Sequence, residues 1–137
     1  MSLIPSPQRL LTELDHARIS NLLRRPGTAD VDGVIGEVVL GADLVSSYEV
    51  PADVVTMYTQ VRVIDLQTRV QRLLTVCYPH DAEPLKGFVS VLSPVGGSLL
   101  GLRKGDVAVW SMPNGEQASA EILELLFQPE QSGDYLL

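Results

Sequence analysis

The sequence predicts an α+β fold, in which a short antiparallel helical hairpin in residues 1–50 precedes an antiparallel sheet with one short helix in residues 51–137. The main observation is a change of hydrophobic period. Apolar residues recur at three- and four-residue intervals up to Val45, as in helices, and alternate or form short runs from Gln60 onward, as in strands. A second observation is that turn-forming Pro-Gly and Pro-Asn-Gly sequences separate segments of similar pattern.

The first fifty residues contain two helical patterns. After an irregular or extended lead-in over residues 1–11, the hydroxyl of Thr12 and the carboxylate of Asp15 form a capping-box-like start, and the first helix should end near Arg24 before Pro26-Gly27. Asp30 is the candidate cap of the second helix. Its apolar stripe comprises Val31, Val34, Ile35, Val38, Ala42 and Val45. Three glycines weaken this helix by about 3 kcal/mol, so it requires a partner, and the first helix is nearest.

The remaining residues predict four or five antiparallel strands. The runs are Gln60 to Asp65, Leu73 to Tyr78, Phe88 to Leu92, Val107 to Met112 and Gln117 to Phe127. The last run has a helix-like content of Glu and Leu, but Pro113-Asn114-Gly115 pairs it with the preceding run as a hairpin, which favours a strand.

The short helix of this region is predicted between Ser93 and Gly101. Ser93 is a plausible cap and Pro94 suits the first helical position. Gly96 and Gly97 allow close backbone approach but lower the helix propensity, so packing must hold the helix. Gly101 is the expected C-terminal stop.

Composition narrows the range of partners. The formal net charge is −7, from 10 basic and 17 acidic residues. Direct docking along a nucleic-acid backbone is therefore disfavoured, because that mode requires a Lys/Arg surface. The single Cys77 excludes an internal disulfide, and the N-terminus lacks the features of a secretory signal. No apolar stretch is long enough to cross a bilayer, so we expect a cytoplasmic protein without a membrane partner.

The residue pattern offers little chemistry. Cys77 and His80 have the spacing of two metal ligands, but no further Cys/His pair completes a zinc site, and a buried strand cysteine is the preferred interpretation. With only His16, expected to face solvent, and His80 available, no Ser-His-Asp arrangement is supported. A solvated strand face explains the dispersed acids Glu116, Glu121, Glu124 and Glu130. We predict no metal, no cofactor and no catalytic residue.

Several motifs in combination carry a resemblance to known proteins. They are Val54-Val55-Thr56-Met57, Val61-Arg62-Val63, the run from Val91 to Asp106, Pro113-Asn114-Gly115, and the end containing Gln128-Pro129-Glu130 and Gly133-Asp134-Tyr135-Leu136-Leu137. Over nearly the whole chain they resemble the bacterial regulator of nucleoside diphosphate kinase (Rnk) family. The C-terminal part also resembles the C-terminal domain of the transcript cleavage factors GreA and GreB, which implies an FKBP-like fold.

The resemblance implies a protein that binds bacterial RNA polymerase near the entrance of its secondary channel and competes with the Gre factors. By motif, docking falls on Ser93, Pro94 and Val95. The supporting residues are Leu99, Leu100, Gly101 and Asp106. One position departs from the Gre pattern, because Leu92 stands where Gre factors usually have a polar residue.

Gre factors carry acidic residues at the tip of a long arm that reaches the polymerase active centre. Here the first predicted helix has roughly 12 residues and a length of about 18 Å, much shorter than that arm. Asp30 and Asp32 lie at the predicted hairpin tip, where helix capping is preferred over holding a cation. We therefore predict no stimulation of transcript cleavage. The alternatives are a cleavage factor that uses Asp30 and Asp32, and a peptidyl-prolyl isomerase suggested by the FKBP-like fold alone.

Overall fold

The computed structural model describes residues 8–25 and 34–134. The described helices are α1 (Glu13–Leu23), α2 (Ile35–Gly41) and α3 (Pro94–Leu99). The strands are β1 (Leu10–Thr12), β2 (Asp43–Val45), β3 (Gln60–Asp65), β4 (Gln71–Cys77), β5 (Phe88–Ser90), β6 (Val107–Ser111) and β7 (Gln117–Phe127). Three 3-10 turns follow β4, precede β5 and follow β7. No helix in this part of the chain has the length and apolar character of a membrane span.

The main sheet has five strands in the order β5-β4-β3-β7-β6, with α3 between β5 and β6 in the chain. The predicted strand runs, the helix before the fourth of them and the Pro-Asn-Gly hairpin are confirmed, and Gly115 has the positive φ of 86° that this turn requires. The prediction of a wholly antiparallel sheet is wrong, because β4 and β5 pair in parallel. Ten residues with two 3-10 turns connect these strands, enough chain to return to the same end of the sheet.

A second, two-stranded sheet holds the N-terminal segment. β1 and β2 pair in parallel, with Leu10 opposite Asp43. The prediction that helix continues to Val45 is therefore wrong, whereas Leu10 and Leu11 have the extended conformation that was one of the two alternatives for the lead-in. The helix ends at Gly41 because Ala42 is extended (φ −76°, ψ 147°), and the Asp43 N–H donates to the Arg9 carbonyl at 3.0 Å instead of continuing the helical pattern.

Helix α1 begins where the sequence predicts. The Thr12 hydroxyl accepts from the Asp15 N–H at 3.0 Å, and Ile19 and Leu22 form the buried face. His16 is half-buried, with its Nε2 3.1 Å from the Val39 carbonyl, which contradicts the expected solvent-facing position. Helices α1 and α2 contact each other. Asp30 and the chain between the helices lie outside the described residues, so the hairpin remains a prediction.

One cluster of buried apolar side chains joins the helices to the sheet. Its members include Ile19 from α1, Ile35 from α2, Leu99 from α3, and Val61 and Ile122 from the sheet. The N-terminal segment thus shares a core with residues beyond 51, and the division into two domains at that point stays a prediction.

Two buried carboxylates, one in α1 and one after β7, accept hydrogen bonds from the adjacent residues Met57 and Thr56. Asp15 is 2% exposed and its Oδ2 accepts from the Met57 N–H at 3.1 Å. Glu130 is 8% exposed and accepts from the Thr56 hydroxyl at 2.7 Å, so the expectation that Glu130 lies on a solvated face is wrong. Burial raises the pKa of Asp15 to about 6; the Met57 hydrogen bond opposes the rise and the Glu130 charge adds to it.

The raised pKa predicts that the contribution of Asp15 to stability falls as the pH rises from about 4 to about 6. Between about pH 4 and pH 6 the unfolded chain releases the Asp15 proton more readily than the folded chain, at a cost that reaches about 3 kcal/mol. Asp15→Asn removes this titration, so its free energy of unfolding relative to the unmodified protein should rise over that range and then level off. Glu130, Arg18 and Tyr78 are the other titratable groups that interact with Asp15.

Urea unfolding at several pH values between 4 and 7.5 measures this difference. The exposed Asp43 provides the control, since Asp43→Asn should show no comparable rise. A stability difference for Asp15→Asn that stays constant across the range would contradict the prediction.

Candidate functional site

The predicted docking loop connects β5 to α3. The Ser93 Oγ donates to the Ser90 carbonyl at 2.6 Å and accepts from the Gly96 N–H at 3.1 Å, so it caps α3 as predicted. Its one hydroxyl proton is therefore used inside the loop. Pro94 is exposed at the first helical position, while Ser93 and Val95 are half-buried. The accessible part of the loop is mainly the Pro94 ring.

Two glycines let α3 lie directly on neighbouring backbone. A Cβ on Gly96 would stand 2.0 Å from the Ser90 carbonyl oxygen, and one on Gly97 would stand 3.2 Å from the Ile35 nitrogen. No side chain fits at Gly96 without moving the backbone. The close backbone approach that the sequence predicts is thus present at both glycines: Gly96 lies against the end of β5, and Gly97 lies against the start of α2.

The C-terminal end of α3 is buried. Leu99 and Leu100 are 1% and 0% exposed and lie in the core, and the helix stops before Gly101, whose φ is +82°. The Gly101 N–H donates to the Val55 carbonyl at 2.8 Å, and its carbonyl accepts from the Leu10 N–H at 3.1 Å. Gly101 therefore joins α3 to β1 and to the chain before β3.

Arg9 is a structural residue of this site that the sequence analysis missed. Its Nη1 donates to the Leu100 carbonyl at 2.8 Å and to the Gly97 carbonyl at 3.4 Å, which places a cation at the C-terminal end of α3. Burial lowers the pKa of Arg9, and the Asp106 charge opposes this. The available signal was an arginine next to the strand-like pair Leu10-Leu11.

Asp106 and Leu92 have structural roles near the docking loop. The Asp106 Oδ2 accepts from the Arg103 N–H at 2.9 Å and closes the turn that enters β6. The Leu92 side chain is half-buried against the core, so this departure from the Gre pattern is a packing residue. A cavity of about 250 Å³ lies beside Val95; among the described residues that line it, Asp65 and Arg72 are charged and Trp110 is the one aromatic residue.

The other residues singled out from the sequence do not join this site. Asp30 and Asp32 lie outside the described residues. Cys77 is buried at the end of β4, its thiol lies 3.5 Å from the Val89 carbonyl, and burial raises its pKa. His80 is exposed and contacts the Asp81 carboxylate at 3.3 Å. Within residues 8–25 and 34–134, no three His, Cys, Asp or Glu side chains cluster as metal ligands would.

Comparisons with known proteins agree with this architecture. The family model "Transcription elongation factor, GreA/GreB, C-term" matches residues 50–126. The regulator of nucleoside diphosphate kinase of Escherichia coli (strain K12) is 38% identical over 133 residues, which are 96% of this chain and 98% of the relative. The transcription elongation factor GreA of Helicobacter hepaticus (strain ATCC 51449 / 3B1) is 28% identical over 131 residues, which are 88% of this chain and 80% of that protein.

A solved structure shows the same fold. The prokaryotic transcription elongation factor GreA/GreB from Nitrosomonas europaea superposes with a TM-score of 0.67 at 32% identity, covering 89% of this chain and 100% of that one. Fold and sequence together define a Gre-related transcription regulator. Within that class, the chain belongs to the regulator of nucleoside diphosphate kinase family. The resemblance inferred from the motifs is thereby confirmed.

The contact at Gly96 yields a stability prediction. Gly96→Ala should lower the free energy of unfolding by about 2 kcal/mol or more, because its Cβ would collide with the Ser90 carbonyl. Gly36→Ala in α2 is the matched control: nothing lies within 4 Å of its Cβ, so stability should be unchanged or rise by up to about 1 kcal/mol. Thermal and urea unfolding of both variants provide the measurement. Equal effects of the two substitutions would show that the Gly96 contact does not constrain the loop.

Proposed function

We propose that this protein binds bacterial RNA polymerase near the entrance of its secondary channel, where it regulates transcription without catalysing a reaction. Docking is assigned to Ser93, Pro94 and Val95. The observation that carries the proposal is an exposed proline on a loop whose neighbouring groups are fixed by internal hydrogen bonds. Membership of a Gre-related family supports the choice of partner. A cytoplasmic location follows from that partner.

The loop suits docking because little of it must become ordered on binding. Ser93 holds the first turn of α3, and Arg9 and Leu10 hold its last turn. A surface that is already rigid loses less conformational entropy when it binds. Pro94 adds to this, because its ring fixes φ and its contact surface is apolar.

We further propose that residues 51–137 form an FKBP-like domain and that α1 and α2 are the two sides of the predicted helical hairpin. The five-stranded sheet in contact with α3, and the contact of α1 with α2, support this assignment. The docking loop is supported by four residues that follow it. Leu99 and Leu100 pack in the core, and Gly101 and Asp106 form the turns on either side of Arg103.

In this proposal the protein competes with Gre factors but does not stimulate transcript cleavage. Helix α1 has 11 residues and is about 16 Å long, which is short for an arm that must reach the polymerase active centre. In a transcript-cleavage assay with stalled complexes, we expect this protein to produce no cleavage and to reduce cleavage stimulated by a Gre factor. Cleavage that is lost in Asp30→Ala and Asp32→Ala variants would instead establish a cleavage factor.

Substitution at the loop tests the docking site. Pro94→Glu should weaken binding to core RNA polymerase by at least about tenfold, because a carboxylate would be desolvated in an apolar contact. The fold should persist, since an acidic residue is favourable in the first turn of a helix. Pro113→Glu, at a likewise exposed proline in the β6–β7 turn, is the control and should bind normally.

Fluorescence binding titrations with and without a saturating Gre factor measure both affinity and competition. The full chain must be used, because a fragment that starts at residue 51 lacks Arg9 and Leu10, which hold the end of α3. Normal polymerase binding by Pro94→Glu would place docking elsewhere. Binding by the unmodified chain that survives saturating Gre factor would refute a shared site.

A further inference from the structure

A cleft of about 410 Å³ lies between α1 and the residues that follow β4, on a part of the molecule that the docking proposal does not use. One wall is formed by Arg18, Asn21 and Leu22 of α1 and by Arg25, which follows the end of that helix. The opposite wall is formed by Tyr78, Pro79 and His80. None of the described residues that line the cleft is acidic, although acidic residues outnumber basic residues in the chain by 17 to 10.

The α1 wall concentrates hydrogen-bond donors. Arg18 and Asn21 lie on α1, and Arg25 follows the end of this helix, where its N–H donates to the Leu22 carbonyl at 3.2 Å. A guanidinium has five N–H donors, so a hydrogen bond within the protein leaves others for a ligand. The forked geometry of arginine matches phosphate oxygens. This wall therefore suits a ligand with one or more phosphate groups.

The opposite wall contains two aromatic side chains and a proline. The rings of Tyr78 and His80 are parallel, with an interplanar angle of 1° and centroids 6.4 Å apart, and Pro79 lies between them in the chain. Burial raises the pKa of Tyr78 to about 12, with the Asp15 charge adding to it, so the phenol remains neutral. Parallel aromatic faces beside apolar groups are surfaces on which a planar ring stacks.

Two carboxylates lie near the cleft and interact with residues that line it. Asp15 is buried and interacts with both Arg18 and Tyr78, and Asp81 contacts the His80 Nε2 at 3.3 Å. Neither lines the cleft. The Asn21 Oδ1 accepts from the Arg24 Nη1 at 3.0 Å, which directs its amide group and leaves the Nδ2 donors for a ligand.

We propose that this cleft binds a small phosphorylated ligand with a planar ring, which is the chemistry of a nucleotide. Arg18 and Arg25 hold the phosphates, Asn21 donates to the ligand between them, and the ring stacks on the wall of Tyr78 and His80. The volume falls within the range of about 300–1,000 Å³ that is usual for small-molecule sites.

Isothermal titration calorimetry of the full chain tests the proposal with ADP and UDP as probes. Adenosine and inorganic pyrophosphate test the ring and the phosphates separately, and each should bind at least about tenfold more weakly than ADP. Arg25→Gln should weaken ADP binding by about tenfold or more, since it removes a charge-assisted contact at an exposed position where the fold tolerates it. His80→Ala should weaken ADP binding but leave pyrophosphate binding unchanged.

Lys104→Gln is the charge-matched control, because Lys104 is exposed and does not line the cleft; its ADP affinity should stay within about twofold of the unmodified protein. Failure of both ADP and UDP to saturate the protein at millimolar concentration would overturn the proposal. So would undiminished ADP binding by Arg25→Gln, or pyrophosphate binding as tight as ADP binding. Saturation by an oligoglutamate peptide without nucleotide binding would reassign the cleft to an acidic protein segment.

Discussion

The hydrogen bonds at Gly101 are the constraint on which the arrangement of this protein depends. At this residue the chain leaves α3 with a positive φ, receives the Leu10 N–H on its carbonyl and donates to the Val55 carbonyl. The two peptide groups of Gly101 thus hold together three segments that are distant in sequence: β1, the chain before β3, and the end of α3. A side chain there would crowd Arg9 and Leu10 as well as straining the backbone. The position of α3, and with it the loop at Ser93, follows from this junction.

The sequence could predict those features that local chemistry determines. Thr12 caps α1 because a hydroxyl accepts a free N–H, Gly101 ends α3 because glycine adopts positive φ, and Pro113-Asn114-Gly115 makes a hairpin for the same reason. Features that depend on distant partners were missed. The β1–β2 pair and the parallel β4–β5 pair arise from contacts between separate segments, and nothing in their own residues specifies the direction of pairing.

In the candidate site, too, features that depend on local chemistry could be predicted and features that depend on distant partners could not. Local reasoning predicts a capped short helix after β5, and the structure has it. The proposal that Ser93, Pro94 and Val95 bind RNA polymerase takes the identity of the partner from the resemblance, because an exposed proline on a loop has no chemistry that identifies its ligand. Arg9 was assigned no role and Glu130 was expected on a solvated face, because their partners lie about ninety and seventy positions away in the chain and the sequence does not reveal them.

The parallel pairing of β1 and β2 has a consequence for how such proteins can vary. Strand β1 leads directly into α1, and α2 leads through one residue into β2. The start of α1 and the end of α2 are therefore held together by the pairing of β1 with β2. Matched insertions of whole helical turns in α1 and α2 would leave the register of Leu10 with Asp43, and everything beneath it, unchanged. The lengths of α1 and α2 can therefore change while the core beneath them stays the same.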